Sequence, residues 1–126
     1  MEADQIRAII EVAAKGEIFN SLLKAARKVD AGQTRSSDYF LTFESSKLLL
    51  SELTASRIGL LEELRASGPM SIYGLAKRVG RNYSNVHSDI TRLIEHGLVE
   101  KFAETKKVHV PFDSVEIRFT LNAANH

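Results

Sequence analysis

The sequence predicts a mainly α-helical domain of the α+β class, and three features of its 126 residues lead to this prediction. The first is a series of apolar stripes in which aliphatic residues recur every three or four positions. The second is a set of capping signals that divide these stripes into separate helices. The third is a pair of short β-prone runs after the last helix, joined by a polar tip. Helices followed by a β-hairpin are therefore expected.

Composition and charge exclude more functions than they suggest. Lys and Arg number 17 against 16 Asp and Glu, so the formal net charge is only +1. Cysteine is absent and the four histidines lack metal-ligand spacing, so we expect no disulfide, no metal and no cofactor. The first residues do not resemble a signal peptide, and no uncharged stretch reaches the roughly 18–20 residues of a membrane helix. We therefore expect a cytoplasmic protein that binds no membrane.

The first 38 residues are expected to form a helical extension that ends in a polar linker at residues 31–38. One apolar stripe predicts a helix over about residues 3–15, and a second stripe, out of phase with the first, predicts either another short helix or the continuation of one helix kinked near Gly16, ending at Gly32. This region is expected to dimerise the chain, to bind a partner protein or to do both, unless it packs on the chain's own domain. Its candidate contact residues are Ile6, Ile9, Ile10, Phe19, Leu22 and Leu23.

Residues 39–126 are expected to form the second domain. Tyr39–Phe43 is aromatic and β-prone, which predicts a strand, and residues 47–53 predict one or two helical turns. Three helices should follow, with N-caps at Thr54, at Ser71 and at either Asn82 or Ser84. Glycines at positions 68, 80 and 97 should end them. A hairpin over residues 98–112 and a last strand over residues 115–121 complete the domain.

The spacing within residues 71–97 is typical of a helix-turn-helix. Ala76 offers a small side chain where two helices must cross, Gly80 follows in the turn, and Val86 lies on the inner face of the next helix. Three helices followed by a hairpin is the element order of a winged helix. The sequence therefore predicts a winged helix-turn-helix with an N-terminal helical extension.

Positive charge is concentrated in the same segment. Residues 71–92 contain four Lys and Arg side chains against Asp89 alone, a net charge of +3. The outer face of the last helix should carry Asn and Arg, which can make bidentate contacts with base edges. Candidate base-reading residues are Arg81, Asn82, Tyr83, Asn85 and Ser88. Candidate DNA-backbone contacts are Ser71, Lys77, Arg78, Ser84, His87, Arg92, Lys106 and Lys107.

Asp89 is the exception on this face, because a carboxylate opposes DNA phosphates. We expect it to orient either Arg92 or Arg81. Tyr83 also has two interpretations: it contacts a base, or it packs on Val79 and reaches a phosphate with its hydroxyl.

Residues 53–57, 60–64, 71–90 and 93–99 together resemble a MarR-like winged-helix family of DNA-binding proteins. The most specific stretch is residues 75–89, Leu-Ala-Lys-Arg-Val-Gly-Arg-Asn-Tyr-Ser-Asn-Val-His-Ser-Asp, and the resemblance extends over about residues 39–121. Members are often encoded beside a small toxin. The resemblance thus implies the antitoxin of a type II toxin–antitoxin pair, which neutralises its toxin and represses the shared operon.

The expected function is therefore that of a homodimeric, sequence-specific transcriptional regulator that binds double-stranded DNA and a cognate toxin. No nucleotide-binding or nucleophile motif is present, so we do not expect an enzyme. Two alternatives remain at this point. The chain is a stand-alone MarR-like repressor without a toxin, or its winged helix serves only as a protein–protein interaction module.

Overall fold

The computed structural model describes residues 6–13, 23–24, 26–27 and 38–121 of a mixed α/β protein. The described residues contain four complete helices and two small sheets. Their bounds are β1 Arg7–Val12, β2 Tyr39–Phe43, α1 Ser46–Glu52, α2 Ala55–Ser67, α3 Ile72–Val79, α4 Tyr83–Glu95, β3 Glu100–Lys101, β4 Val108–His109 and β5 Ser114–Arg118.

The chain divides into two compact units. One comprises Met1–Glu52 together with Ser114–His126, and the other is Leu53–Asp113. This division differs from the expected boundary at residue 38, because a sheet in the first unit joins strands from both ends of the chain.

That sheet has three parallel strands in the order β2, β1, β5. The helix predicted over residues 3–15 is wrong for the described residues, since Arg7–Val12 is the central strand. Ala8, Ile9 and Ile10 are consecutive and all fully buried, as expected for a parallel strand covered on both faces. A continuous apolar run of this kind satisfies helical spacing by coincidence. The strand predicted at Tyr39–Phe43 is confirmed, and the strand predicted over residues 115–121 is present as Ser114–Arg118, so it ends three residues early.

Arg7 links the strands of this sheet. Its guanidinium donates to both carboxylate oxygens of Asp38, at 3.3 and 2.6 Å, and lies 3.4 Å from Glu116 on β5. The Asp38 side chain is fully buried, so Arg7 supplies the countercharge that such burial requires. The hydrogen bond to Asp38 raises the pKa of Arg7, although burial opposes the shift.

The Leu53–Asp113 unit follows the predicted order of three helices and a hairpin. Thr54, Ser71 and Asn82 are the N-caps of α2, α3 and α4, so Asn82 rather than Ser84 begins the third helix. Gly68, Gly80 and Gly97 have positive φ at the three helix ends, as predicted. The core of the unit is formed by Leu53, Leu60, Leu61, Leu64, Ile72, Leu75, Ala76, Val86, Ile90, Leu93, Leu98, Val99, Val108 and Phe112.

The hairpin is short and is anchored at its base. Strands β3 and β4 are antiparallel, and Met70 bridges Val108 through two backbone hydrogen bonds of 3.1 and 2.8 Å. The turn is closed by the amide of Phe102, which donates to Lys107, and by that of Lys106, which donates to Phe102. This places residues 102–107 at the tip of the hairpin.

Candidate nucleic-acid interface

The junction of α3 and α4 holds the second of these helices in a fixed orientation. Ala76, Leu75 and Val86 are buried between the helices, and Gly80 adopts the left-handed conformation that the turn needs. The amide of Arg81 donates to the Ala76 carbonyl at 3.0 Å, which closes the end of α3. A small side chain, a left-handed glycine and an apolar inner face therefore meet as the spacing predicts.

The side of α4 opposite this junction is exposed and polar. Asn85, Ser88 and Arg92 all face solvent, as the sequence predicts, and His87 and Thr91 are exposed beside them. The buried residues of the helix are Val86, Ile90 and Leu93. Every exposed side chain named here carries hydrogen-bonding groups, so the face is suited to polar recognition.

Asn82 and Ser84 are engaged at the start of α4. The side-chain oxygen of Asn82 accepts from the amides of Ser84 and Asn85, at 2.9 and 3.3 Å, and from the Ser84 hydroxyl at 2.7 Å. Ser71 caps α3 similarly and accepts from the Gly74 amide at 3.0 Å. These residues, expected at the interface, thus have a structural role that fixes both helix starts.

Asp89 joins three segments of the Leu53–Asp113 unit. Its Oδ2 accepts from Nη2 of Arg81 at 2.7 Å, and its Oδ1 accepts from Nε of Arg57 on α2 at 3.0 Å. Asp89 therefore orients Arg81, one of the two expected partners. Arg92 instead donates to Glu95 at 2.8 Å.

The environment of Asp89 favours its charged form. Burial alone would raise the pKa of this carboxyl, whose side chain is 15% exposed, but hydrogen bonds from Arg81 and Arg57 outweigh burial and lower it. The carboxylate is consequently ionised at neutral pH and compensated by two guanidinium groups. Its negative charge is thereby largely cancelled where the sequence suggests a conflict with DNA.

The two cations on α3, Lys77 and Arg78, form weak contacts at the surface. Arg78 donates to Glu63 at 2.9 Å, and the Nζ of Lys77 lies 5.3 Å from the ring centre of Tyr73. The hydrogen bond from Ser67 is the main cause that lowers the pKa of Glu63, and Arg78 adds to it. Exposed pairs of this kind contribute little stability, so these cations can exchange partners readily.

Tyr83 lies in an aromatic cluster that the sequence did not predict. Its ring centre is 6.5 Å from that of Tyr73 on α3 and 5.8 Å from that of His87 on α4. Tyr73 is 61% exposed and Tyr83 is 49% exposed. Tyr73 is thus a further interface candidate, and its position four residues before Lys77 on one helix face was the available signal.

The hairpin tip carries the other expected cations. Lys106 and Lys107 are exposed, and so is Lys101, which pairs with Val108 across the hairpin. At the base of the tip, Phe102 stacks on His109 with ring centres 4.3 Å apart and planes inclined by 8°. The stacking ties the two strands together below the lysines.

The expected partner-binding residues of the N-terminal region differ in how exposed they are. Ile9 and Ile10 are fully buried in the sheet, so they do not form an exposed stripe, whereas Ile6 and Leu23 are both exposed. Phe19 and Leu22 lie outside the described residues. Leu23 is helical, in agreement with the second predicted helix at that position.

The described residues contain neither a metal-binding cluster nor a membrane-spanning helix. No group of three His, Asp or Glu side chains is arranged to hold a metal ion there. Among those residues no helix combines the length and apolar character needed to cross a membrane.

The sequence model of the HVO_A0114 family matches residues 52–117, more than half of the chain. The chain belongs to the HVO_A0114 family. The match includes the whole Leu53–Asp113 unit, and therefore both helices of the candidate interface and the hairpin. No curated protein and no solved structure matches the chain. The comparisons thus give this unit a family without giving it a function.

Proposed function

We propose that the Leu53–Asp113 unit is a winged helix-turn-helix that binds double-stranded DNA in a sequence-specific manner and represses transcription. The observation that supports this most is the exposed outer face of α4, where Asn85, Ser88 and Arg92 project from a helix whose inner face is locked to α3. Helices of this kind read base edges in the major groove. In the proposal, α4 is the recognition helix and the β3–β4 hairpin is the wing.

The side chains divide into two groups according to their reach. Asn85, Ser88 and Tyr83 stand on the outer face near the start of α4, where a recognition helix contacts bases. Asn82 and Ser84, with their side chains in the cap, approach the duplex chiefly through the helix start. Contacts to phosphates are assigned to Lys77, Arg78, Arg92, Lys106 and Lys107, which are exposed cations, and to the N–H groups at Ser71.

A homodimer is part of the proposal, because two recognition helices one DNA turn apart would bind a palindromic site. The antitoxin role follows from the resemblance alone and stays a prediction, since Phe19 and Leu22 lie outside the described residues. The alternative to DNA binding is that the unit serves only as a protein–protein interaction module.

Binding across a series of salt concentrations tests the proposal. The probe is a duplex enriched by the full chain from a random-sequence library, with unselected duplex for comparison. We expect log affinity to fall steeply as log salt rises, because phosphate contacts release counterions. Lys77→Ala should weaken binding to both duplexes and reduce the slope by about one for each monomer bound.

Arg65→Ala is the matched control for Lys77→Ala. Arg65 is an exposed cation near the end of α2 that donates to the Asp113 carbonyl at 2.6 Å, outside the proposed interface. Its removal should leave the slope unchanged. If no duplex is enriched, or if the slope is flat, the module interpretation replaces DNA binding.

A further inference from the structure

The carboxylate of Asp89 is shared by two arginines that lie in different segments. Arg57 occupies Oδ1 at 3.0 Å, and Arg81 occupies Oδ2 at 2.7 Å. Because each guanidinium contacts a different carboxylate oxygen of Asp89, one arginine can leave without displacing the other.

The two arginines differ in what surrounds them. Arg57 lies in the first turn of α2, where its amide donates to the capping hydroxyl of Thr54 at 3.2 Å. Arg81 lies in the turn before α4, its side chain is 29% exposed, and its buried Nη1 has no hydrogen-bond partner in the described part of the chain. An unsatisfied buried N–H costs free energy, so Arg81 gains from a new acceptor.

We propose that Arg81 exchanges Asp89 for an acceptor on the DNA duplex, while Arg57 remains on Asp89 as a positioning residue. This inference rests on the proposed function and assigns a role to Arg57, which does not itself contact DNA. With Arg57 in place, Asp89 keeps a countercharge when Arg81 turns outward. Without Arg57, that movement would leave a largely buried carboxylate uncompensated, so Arg81 would be held back.

The exchange predicts a specific pattern of affinities for the duplex enriched by the wild-type chain. Arg57→Gln should weaken binding by about tenfold, comparable to the loss of a direct arginine contact in Arg81→Ala. The two substitutions should not add, because both remove the same contact. Asp89→Asn should tighten binding several-fold, since the neutral amide no longer retains Arg81, and should cancel the loss caused by Arg57→Gln.

Two controls separate the exchange from simpler effects. Glu95→Gln also removes a carboxylate from α4, one paired with Arg92, and gives the general effect of lowering negative charge. The gain from Asp89→Asn should disappear in an Arg81→Ala background, whereas the effect of Glu95→Gln should persist there. Urea unfolding monitored by circular dichroism establishes that each variant is folded under the binding conditions. If Arg57→Gln does not fold, Arg57→Lys takes its place, with a smaller loss that Asp89→Asn should also cancel.

The outcomes distinguish this inference from the function on which it rests. If the wild-type chain enriches no duplex, the proposed function fails and the exchange fails with it. If the wild-type chain binds but the Arg57 variants bind equally well, or if Asp89→Asn does not restore their affinity, the exchange alone is overturned. If Arg57 had a purely structural role, its substitution would lower the free energy of unfolding, and Asp89→Asn would not restore the affinity for DNA.

Discussion

Asp89 shows how a side chain that opposes the proposed ligand can still serve its interface. A lone carboxylate on this face would repel phosphates, but Arg57 and Arg81 cancel its charge and use it to connect α2, the turn and α4. Its position eight residues after Arg81 made that contact foreseeable. Arg57, 32 residues before Asp89 in sequence, could not be assigned without knowledge of how α2 packs.

The lowered pKa of Asp89 predicts how stability depends on pH. A carboxyl whose pKa is lower in the folded state contributes stability above its ordinary pKa of 3.8, and loses it as pH falls through the folded value. We therefore expect the free energy of unfolding to fall as pH drops below about 4. Asp89→Asn should cost about 1–3 kcal/mol at neutral pH and much less in acid.

Urea denaturation of both proteins between pH 7 and pH 2 measures this difference. The pKa values of Glu63 and Glu116 are also lowered, chiefly by hydrogen bonds from Ser67 and Arg118 respectively, but their contributions cancel in the comparison. A constant difference between wild type and Asp89→Asn across this range would contradict the role assigned to the two arginines.

At the level of single elements, the helix boundaries of the Leu53–Asp113 unit were largely predictable. Caps and left-handed glycines act within a few residues, so Thr54, Ser71, Gly80 and Gly97 could be recognised from sequence. The start of α4 was the one ambiguous boundary. The structure shows that Asn82 is the N-cap, and substitution of this residue therefore tests the geometry at the N-terminal end of α4, where base contacts are proposed.

Asn82→Ala should lower the free energy of unfolding by about 0.5–2 kcal/mol, because two amides of the first turn lose their acceptor. Ser84→Ala should change it by much less, since the Ser84 hydroxyl only donates to the same oxygen. Urea denaturation monitored by circular dichroism measures the free energy of unfolding of both variants. Equal losses would mean that Asn82 does not cap α4 as described.

At the level of the whole molecule, the sequence predicted the Leu53–Asp113 unit well, whereas in the first unit it predicted the two outer strands of the sheet but not the central strand β1. The elements of Leu53–Asp113 follow one another and pack mainly with their chain neighbours. In the first unit, by contrast, Ile9 faces Phe40 on one side and Glu116 on the other, and such distant pairings leave no local signal. The spacing of Ile6, Ile9 and Ile10 therefore indicated a helix where the sheet imposes a strand.

The central claim is that the outer face of α4 reads DNA sequence, and the most direct measurement compares wild type with Asn85→Ala on a panel of singly substituted duplexes. The starting duplex is the one enriched by the wild-type chain, and Glu62→Ala on the exposed surface of α2 is the control. We predict that Asn85→Ala loses about 1–3 kcal/mol of discrimination at one base pair and keeps its preferences elsewhere. An unchanged preference at every position would contradict the account.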